Sequence, residues 1–79
     1  SEATGGKKIE LLVTIQKIDR GKTITEDMLG TRDVPQAYVD DRAIRAADRQ
    51  KVVNLRATST IPVAQTLAWT DIIAGADEQ

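Results

Sequence analysis

A pattern that occurs twice in this chain constrains its fold more than any other feature. Residues 18–29 and residues 61–72 align without a gap. The alignment pairs residues of like character, namely Ile18 with Ile61, Thr23 with Thr66, Ile24 with Leu67 and Leu29 with Ile72. In each copy an apolar residue leads into a four-residue turn, a Thr and an aliphatic residue follow, and a short helical signal ends on another aliphatic residue. The sequence therefore predicts two copies of one unit that reverses a strand.

Size and composition exclude most kinds of chemistry. A chain of 79 residues forms one domain and buries only about 60% of the surface that it exposes when unfolded. It has no Cys and no His, so it lacks disulfides, thiolate metal sites and the commonest general base. We expect a protein that is not an enzyme, with no catalytic residues, no metal site and no cofactor.

Charge and hydropathy indicate which classes of partner to exclude and where the domain begins and ends. Eleven basic and twelve acidic residues nearly cancel, and Tyr38 and Trp69 are the only aromatic residues, so nucleic acid is not an expected partner. The longest apolar run, residues 11–13, is far shorter than the roughly 20 residues of a membrane span. Because both ends are small and polar, we expect residues 1–7 to be a flexible linker or an added end, residues 8–74 to form the domain and residues 75–79 to be a flexible tail.

Local patterns predict short strands joined by turns. Residues 8–17 alternate, with Ile9, Leu11, Val13 and Ile15 on one side, which is typical of a strand with one solvated face. Residues 19–22 form a turn in which Gly21 is free to take positive φ. Thr25 is predicted to cap one helical turn over residues 26–29, stopped by Gly30.

The middle of the chain predicts a short helix between extended segments. Residues 31–34 are extended, and Asp40 is predicted to cap a helix over residues 41–47. On that helix Ala43, Ile44 and Ala47 would share one face, and the opposite face would carry Arg42, Arg45 and Arg49. Residues 52–56 form a β-rich run interrupted by Asn54, which tolerates left-handed backbone. The predicted fold class is mainly β with short helical turns.

The doubled unit and the separation of its copies resemble the SAF domain, over about residues 9–73. This domain occurs in type III antifreeze proteins, sialic acid synthases, the flagellar P-ring chaperone and CpaB-type Flp/Tad pilus-assembly proteins. The resemblance implies a β-clip, a pretzel-like fold with an internal pseudo-twofold repeat. Segment 31–44, with its Val-Pro-x-x-Tyr-Val-like pattern, and the ending Leu67-Ala-Trp-Thr-Asp-Ile72 are most similar to the pilus-assembly branch.

The chain departs from the family pattern at three places. Sialic acid synthases usually have an Arg-Pro-Gly stretch, where this chain has Val34-Pro35-Gln36, so the substrate-contacting Arg does not transfer. Relatives usually have Gly in the second turn, where Ala64 stands, so this turn either avoids positive φ or is strained. Asn54 replaces another common Gly.

The candidate partner-binding residues are Trp69, Arg42, Arg45, Arg49 and Arg20. Trp69 is either part of the core or an interface anchor. The three-Arg face is suited to an acidic partner or a polyanionic glycan, or is simply a solvated face. Arg20 lies at the tip of the first turn, and loops often carry binding residues.

The resemblance also implies a function and a location. We expect a non-catalytic binding module of a Flp/Tad pilus-assembly protein, periplasmic or otherwise extracytoplasmic and anchored to the inner membrane in its full-length form. Its partner would be the outer-membrane secretin, another pilus-assembly component, a second copy of itself or cell-wall glycan. The alternatives are the substrate-capping module of a sialic acid synthase-type enzyme and a domain of the flagellar P-ring chaperone.

Overall fold

The computed structural model describes residues 6–73, and this range is mainly β. Its regular elements are strand β1 (Lys8–Thr14), a 3₁₀ turn (Glu26–Met28), strand β2 (Leu29–Pro35), two 3₁₀ turns (Gln36–Tyr38 and Ala46–Asp48), helix α1 (Arg49–Val52), strand β3 (Arg56–Ala57), a last 3₁₀ turn (Trp69–Asp71) and strand β4 (Ile72–Ile73). β1 pairs with β2, and β3 with β4, in two small antiparallel sheets. The predicted fold class, mainly β with short helical turns, is confirmed. Most of the two predicted flexible ends, residues 1–5 and 75–79, lie outside the described residues.

None of the helices in residues 6–73 has the length and hydropathy that crossing a membrane requires.

Many backbone hydrogen bonds recur 43 positions further along the chain. Ile18 and Ile61, themselves 43 positions apart, exchange two hydrogen bonds of 2.9 and 2.8 Å. Four further pairs of bonds recur. Written donor to acceptor, with each counterpart after 'matches', they are: Ile24 to Leu55 matches Leu67 to Leu12; Gly21 to Ala57 matches Ala64 to Thr14; Ala57 to Lys22 matches Thr14 to Gln65; Ile15 to Met28 matches Thr58 to Asp71. Each repeated segment therefore binds the strand that precedes the other segment.

The core is built from both copies of the repeated pattern. All three aligned aliphatic pairs belong to it, and the full cluster is Leu12, Ile18, Ile24, Met28, Leu29, Ile44, Val52, Ala57, Ile61, Leu67 and Ile72. Burial of a side chain of this size contributes about 1.5–3 kcal/mol relative to leaving it in water. Because the cluster draws on both halves of the chain, neither half has a complete core.

The predicted alternation along the first strand is wrong beyond its first residues. Four consecutive residues, 11–14, are buried, whereas Ile15 is 55% exposed. The prediction assumed one solvated face, but β1 pairs with β2 along one edge and bridges to Arg45 and Thr66 along the other. Residues 11 and 13 point to one face and residues 12 and 14 to the other, and all four are buried, so both faces of this inner strand are covered and the period of two is lost.

The predicted helix over residues 41–47 is also wrong. Residues 41–42 form a turn, residues 43 and 45 form β-bridges, and residues 46–47 begin a 3₁₀ turn. Ile44 lies between two extended segments: its N–H donates to the Leu67 carbonyl at 2.9 Å, and its carbonyl accepts from the Leu12 N–H at 2.9 Å. Those bonds use the groups that a helix would need for itself. The Asp40 carboxylate accepts from the Arg42 N–H at 2.8 Å, which forms a turn rather than a helix cap.

Gly21, Asn54 and Ala64, whose backbone conformation the sequence analysis considered, all have positive φ. Gly21 and Asn54 have φ of 81°, as expected, and Ala64 has φ of 65°. Ala64 therefore adopts the conformation of its counterpart Gly21 despite its Cβ, and this backbone is strained.

A side-chain hydroxyl holds the second turn, at residues 62–65, but not the first turn, at residues 19–22. The Thr14 hydroxyl donates to the Pro62 carbonyl at 2.7 Å and accepts from the Gln65 N–H at 3.0 Å. Its counterpart beside the first turn, Ala57, has no hydroxyl. A buried side chain thus holds the turn whose backbone is strained.

The first helical turn forms, but without the predicted cap. It spans Glu26–Met28 and ends where Leu29 becomes extended, one residue before Gly30. The Thr25 hydroxyl makes no bond to the first-turn amides and instead donates to the Asp27 carboxylate. The prediction was right about the turn and wrong about how it is capped.

Candidate functional site

A groove lies where residues 40–43 meet residues 66–70, and we call it the Trp69 groove because Trp69 is next to its lining residues Ala68 and Thr70, although Trp69 does not line it. It has a volume of about 230 Å³ and is lined by Asp40, Arg42, Ala43, Thr66, Leu67, Ala68 and Thr70. Its two walls are joined through the backbone, because Ala43 forms an antiparallel bridge with Ala68 and the Trp69 N–H donates to the Arg42 carbonyl at 2.9 Å. The positions of Trp69 and Arg42 are therefore set by the fold.

Trp69 lies on the protein surface beside the groove, without lining it, and is not part of the core. Its side chain is 38% exposed, and it lies outside the buried cluster that includes Leu67 and Ile72. The two residues beside it in the chain, Ala68 and Thr70, both line the groove. Of the two predicted roles for Trp69, a place in the core is wrong, and the role of interface anchor stays a prediction.

The groove also presents one charge of each sign. The Arg42 guanidinium lies 3.7 Å from the Asp40 carboxylate, and their side chains are 69% and 66% exposed. Ion pairs at such exposure contribute about 0–1 kcal/mol. A partner can therefore recruit either charge at little cost to the fold.

Arg45 lines a second groove on the other side of the same segment, which we call the Arg45 groove. Its volume is about 240 Å³, and it is lined by Gln36, Val39, Asp40, Asp41, Ala43 and Arg45. Asp40 and Ala43 line both grooves. The sequence analysis assigned Asp40 only to a helix cap; the Asp-x-Arg spacing was the signal that a polar turn here could shape a site.

Arg49 forms an ion pair within the domain, in contrast to its predicted place on one helix face with Arg42 and Arg45. Its guanidinium lies 3.6 Å from the Glu26 carboxylate and its side chain is 29% exposed. The neighbouring Gln50 amide donates to the same carboxylate at 3.2 Å. Together these contacts attach α1 to the first 3₁₀ turn.

The five candidate residues therefore do not form one surface. Trp69, Arg42 and Arg45 surround segment 40–45, whereas Arg20 is exposed on the first turn beside Gly21. The single face of three arginines required a helix that does not form. Whether any of the five binds a partner remains a prediction.

Within residues 6–73 no group of three or more acidic side chains is arranged to hold a metal ion.

The sequence was also compared with known proteins. No model of a protein family matches it, and no curated protein matches it.

Proposed function

We propose that this chain is a non-catalytic binding module with the β-clip fold, in which two similar segments wrap around each other about an approximate twofold axis. The hydrogen bonds that recur 43 positions apart support this reading. Ile18 and Ile61 are counterparts in the two segments, and they bond to each other. Residues beside a twofold axis are expected to do so.

We propose further that the module belongs to a Flp/Tad-type pilus-assembly protein and lies outside the cytoplasm, on a full-length protein anchored in the inner membrane. The similarity of segment 31–44 and of the ending 67–72 to that branch of the SAF family supports this assignment. Both segments contribute to the grooves. The segments that carry the resemblance to that branch thus also supply lining residues of the candidate binding surface.

The single observation that carries the proposed mechanism is that a half-exposed tryptophan is hydrogen-bonded through its backbone N–H to Arg42, a member of an exposed ion pair. Tryptophan and arginine are the residue types most enriched among those that dominate binding energies. A partner seated in the Trp69 groove would extend over the exposed indole of Trp69 beside it, while an acidic group of the partner replaces Asp40 beside Arg42. The partner that we propose is the outer-membrane secretin or another protein of the pilus machinery.

The test measures binding of the purified domain to the secretin's periplasmic region with two groove variants. Trp69→Ala and Arg42→Glu are each expected to weaken binding at least about tenfold, in line with typical losses at anchor residues. Lys22→Glu is the matched control, because it makes the same change of charge at an exposed site that lines neither groove and is not a candidate binding residue. Circular dichroism checks that each variant is folded.

Two results would contradict the proposal. If Lys22→Glu weakens binding as much as Arg42→Glu does, the attraction is general electrostatics and not the groove. If the domain does not bind the secretin or any other pilus component, the assignment to pilus assembly is wrong. Membrane fractionation of the full-length protein tests the proposed location separately.

A further inference from the structure

The outer edge of strand β2 is free along its middle. β1 pairs with β2 on one side only, over the register from Lys8 opposite Pro35 to Thr14 opposite Leu29. Within residues 6–73, no other strand pairs with β2. The three residues at its centre, 31–33, are all exposed.

The ladder shows which backbone groups face outward. The Ile15 N–H donates to the Met28 carbonyl at 3.0 Å, and the Gln36 N–H donates to the Lys7 carbonyl at 2.9 Å. In an antiparallel pair every second residue bonds to the partner strand. Residues 30, 32, 34 and 36 therefore face β1, and the N–H and carbonyl groups of Thr31 and Asp33 point away from it.

The outward N–H groups of Thr31 and Asp33 are the only free donors along this edge in the described residues, because the positions on either side offer none. The N–H of Leu29 already donates to the Glu26 carbonyl, and Pro35 has no N–H. Among the described residues, no hydrogen bond involves the N–H of Thr31 or Asp33. The free edge thus offers two donors about 7 Å apart, two residues along a strand.

The side chains at this edge carry an unbalanced charge on one face. Glu10 of β1 lies directly opposite Asp33, so two exposed carboxylates are neighbours on the same face, an unfavourable cross-strand pair. Neither forms an ion pair with a Lys or Arg in the described part of the chain. Arg32 points to the opposite face of the strand, where its guanidinium donates to the Ala64 carbonyl at 3.2 Å.

Charge and backbone argue against a second copy of the chain as the occupant. A register centred on Thr31 would set Asp33 opposite Leu29, whose N–H already donates to the Glu26 carbonyl. The antiparallel register that joins Thr31 to Asp33 of a second copy would place Arg32 opposite Arg32. A register centred on Asp33 would place two more carboxylates together and set Pro35 opposite Thr31. Like charges that face each other across strands destabilise the pair.

We propose that the free edge of β2 binds an extended segment of another protein as an added antiparallel strand. That segment would have a basic side chain opposite Asp33, where it would neutralise the carboxylate pair, and an acidic side chain opposite Arg32. Backbone hydrogen bonds would supply the affinity and the two charges the register. This site does not depend on the Trp69 groove or on the proposed role in pilus assembly.

The test uses capped pentapeptides and the amide signals of the protein. In Val-Lys-Glu-Thr-Val bound antiparallel, Lys lies opposite Asp33, Glu opposite Arg32 and Thr opposite Thr31. We expect the amides of Thr31 and Asp33 to exchange rapidly with solvent in the free protein and to become protected as the peptide is added. N-methylation of the peptide at Lys and Thr removes the hydrogens that face β2, whereas N-methylation at Glu removes one that points away.

The expected result is binding that weakens at least about tenfold with the paired N-methyl groups and is retained with the single one. Thr31→Pro deletes an outward donor and leaves the ladder to β1 intact, so it should weaken binding by a similar factor, while Thr31→Val should not. A charge-reversed peptide, Val-Glu-Lys-Thr-Val, should bind Asp33→Lys better than it binds the unmodified protein.

Several results would overturn the proposal. These are no shift of the Thr31 and Asp33 amides at millimolar peptide, binding that is indifferent to the position of N-methylation, and shifts confined to the Trp69 groove. Protection of both amides before peptide is added would also overturn it, because the edge would then already be occupied. If that protection falls on dilution, a second copy is the occupant.

Discussion

The replacement Ala64→Gly tests whether the second turn is strained. Ala64 has φ of 65° and its counterpart Gly21 has φ of 81°, so the same backbone is built once with a Cβ and once without. A residue with a Cβ loses about 1–2 kcal/mol in this region. Gly makes the unfolded chain more flexible, which costs the folded state about 0.4–1 kcal/mol. The expected net gain for Ala64→Gly is therefore about 0.5–1 kcal/mol.

The reciprocal replacement Gly21→Ala is expected to have the opposite sign. No atom lies within 4 Å of the Cβ that this change would add, so the effect reports backbone conformation without a steric clash. We expect the free energy of unfolding to fall by about 0.5–1 kcal/mol. Comparing Gly21→Ala with Ala64→Gly thus separates conformational strain from packing.

Both variants can be followed by urea unfolding, with circular dichroism and Trp69 fluorescence as independent probes. A change of 1 kcal/mol shifts the melting temperature of a domain of this size by about 4–8 °C, so the expected shifts exceed ordinary measurement error. The dependence of unfolding on urea should stay the same, since neither change alters the surface buried. A lower stability for Ala64→Gly, or the same sign for both variants, would refute the strain argument.

Three further perturbations test other contacts. Thr14→Val should lower the free energy of unfolding by about 1–3 kcal/mol, because it leaves the groups that the hydroxyl binds without a partner. Thr14→Ser keeps the hydroxyl, so a smaller shift of the urea midpoint for Thr14→Val than for Thr14→Ser would contradict this. Gly30→Ala should destabilise the domain, since its Cβ would lie 2.8 Å from Ile15 Cγ2, and a double-mutant cycle with Ile15→Ala should remove that cost; additive losses would show that the clash is not the cause. Glu26→Gln should cost less than about 1 kcal/mol in thermal melts, because the ion pair with Arg49 is partly solvated, and a larger loss would show it to be structurally essential.

The parts of the fold that were predicted correctly depend on local chemistry. Gly21 and Asn54 take the positive φ that their residue types allow, and the repeated pattern places its aliphatic residues in the core because burial follows residue type. The alternation that ended at Ile15 and the helix around Ile44 failed for one reason. Both segments bond to residues distant in sequence, and these partners determine burial and backbone conformation there.

The candidate site was predicted only in part for the same reason. Trp69 and Arg42 were both selected by residue type, but their contact joins positions 27 residues apart through the backbone. No helical or strand period connects two such positions. Asp40 was noticed for its capping chemistry, and its place between two grooves follows from the crossing of segments 40–43 and 66–70.

The exchange of partners between the two repeated segments has a consequence for how the domain gains and loses its structure. Each segment is hydrogen-bonded to the strand that leads into the other. If one segment detaches, the other therefore loses hydrogen bonds that stabilise it. A half-folded intermediate has almost nothing to stabilise it, so folding should be all-or-none and, with most pairings distant in sequence, slow for so short a chain. Polypeptide halves made separately should stay unfolded alone and regain structure only when mixed.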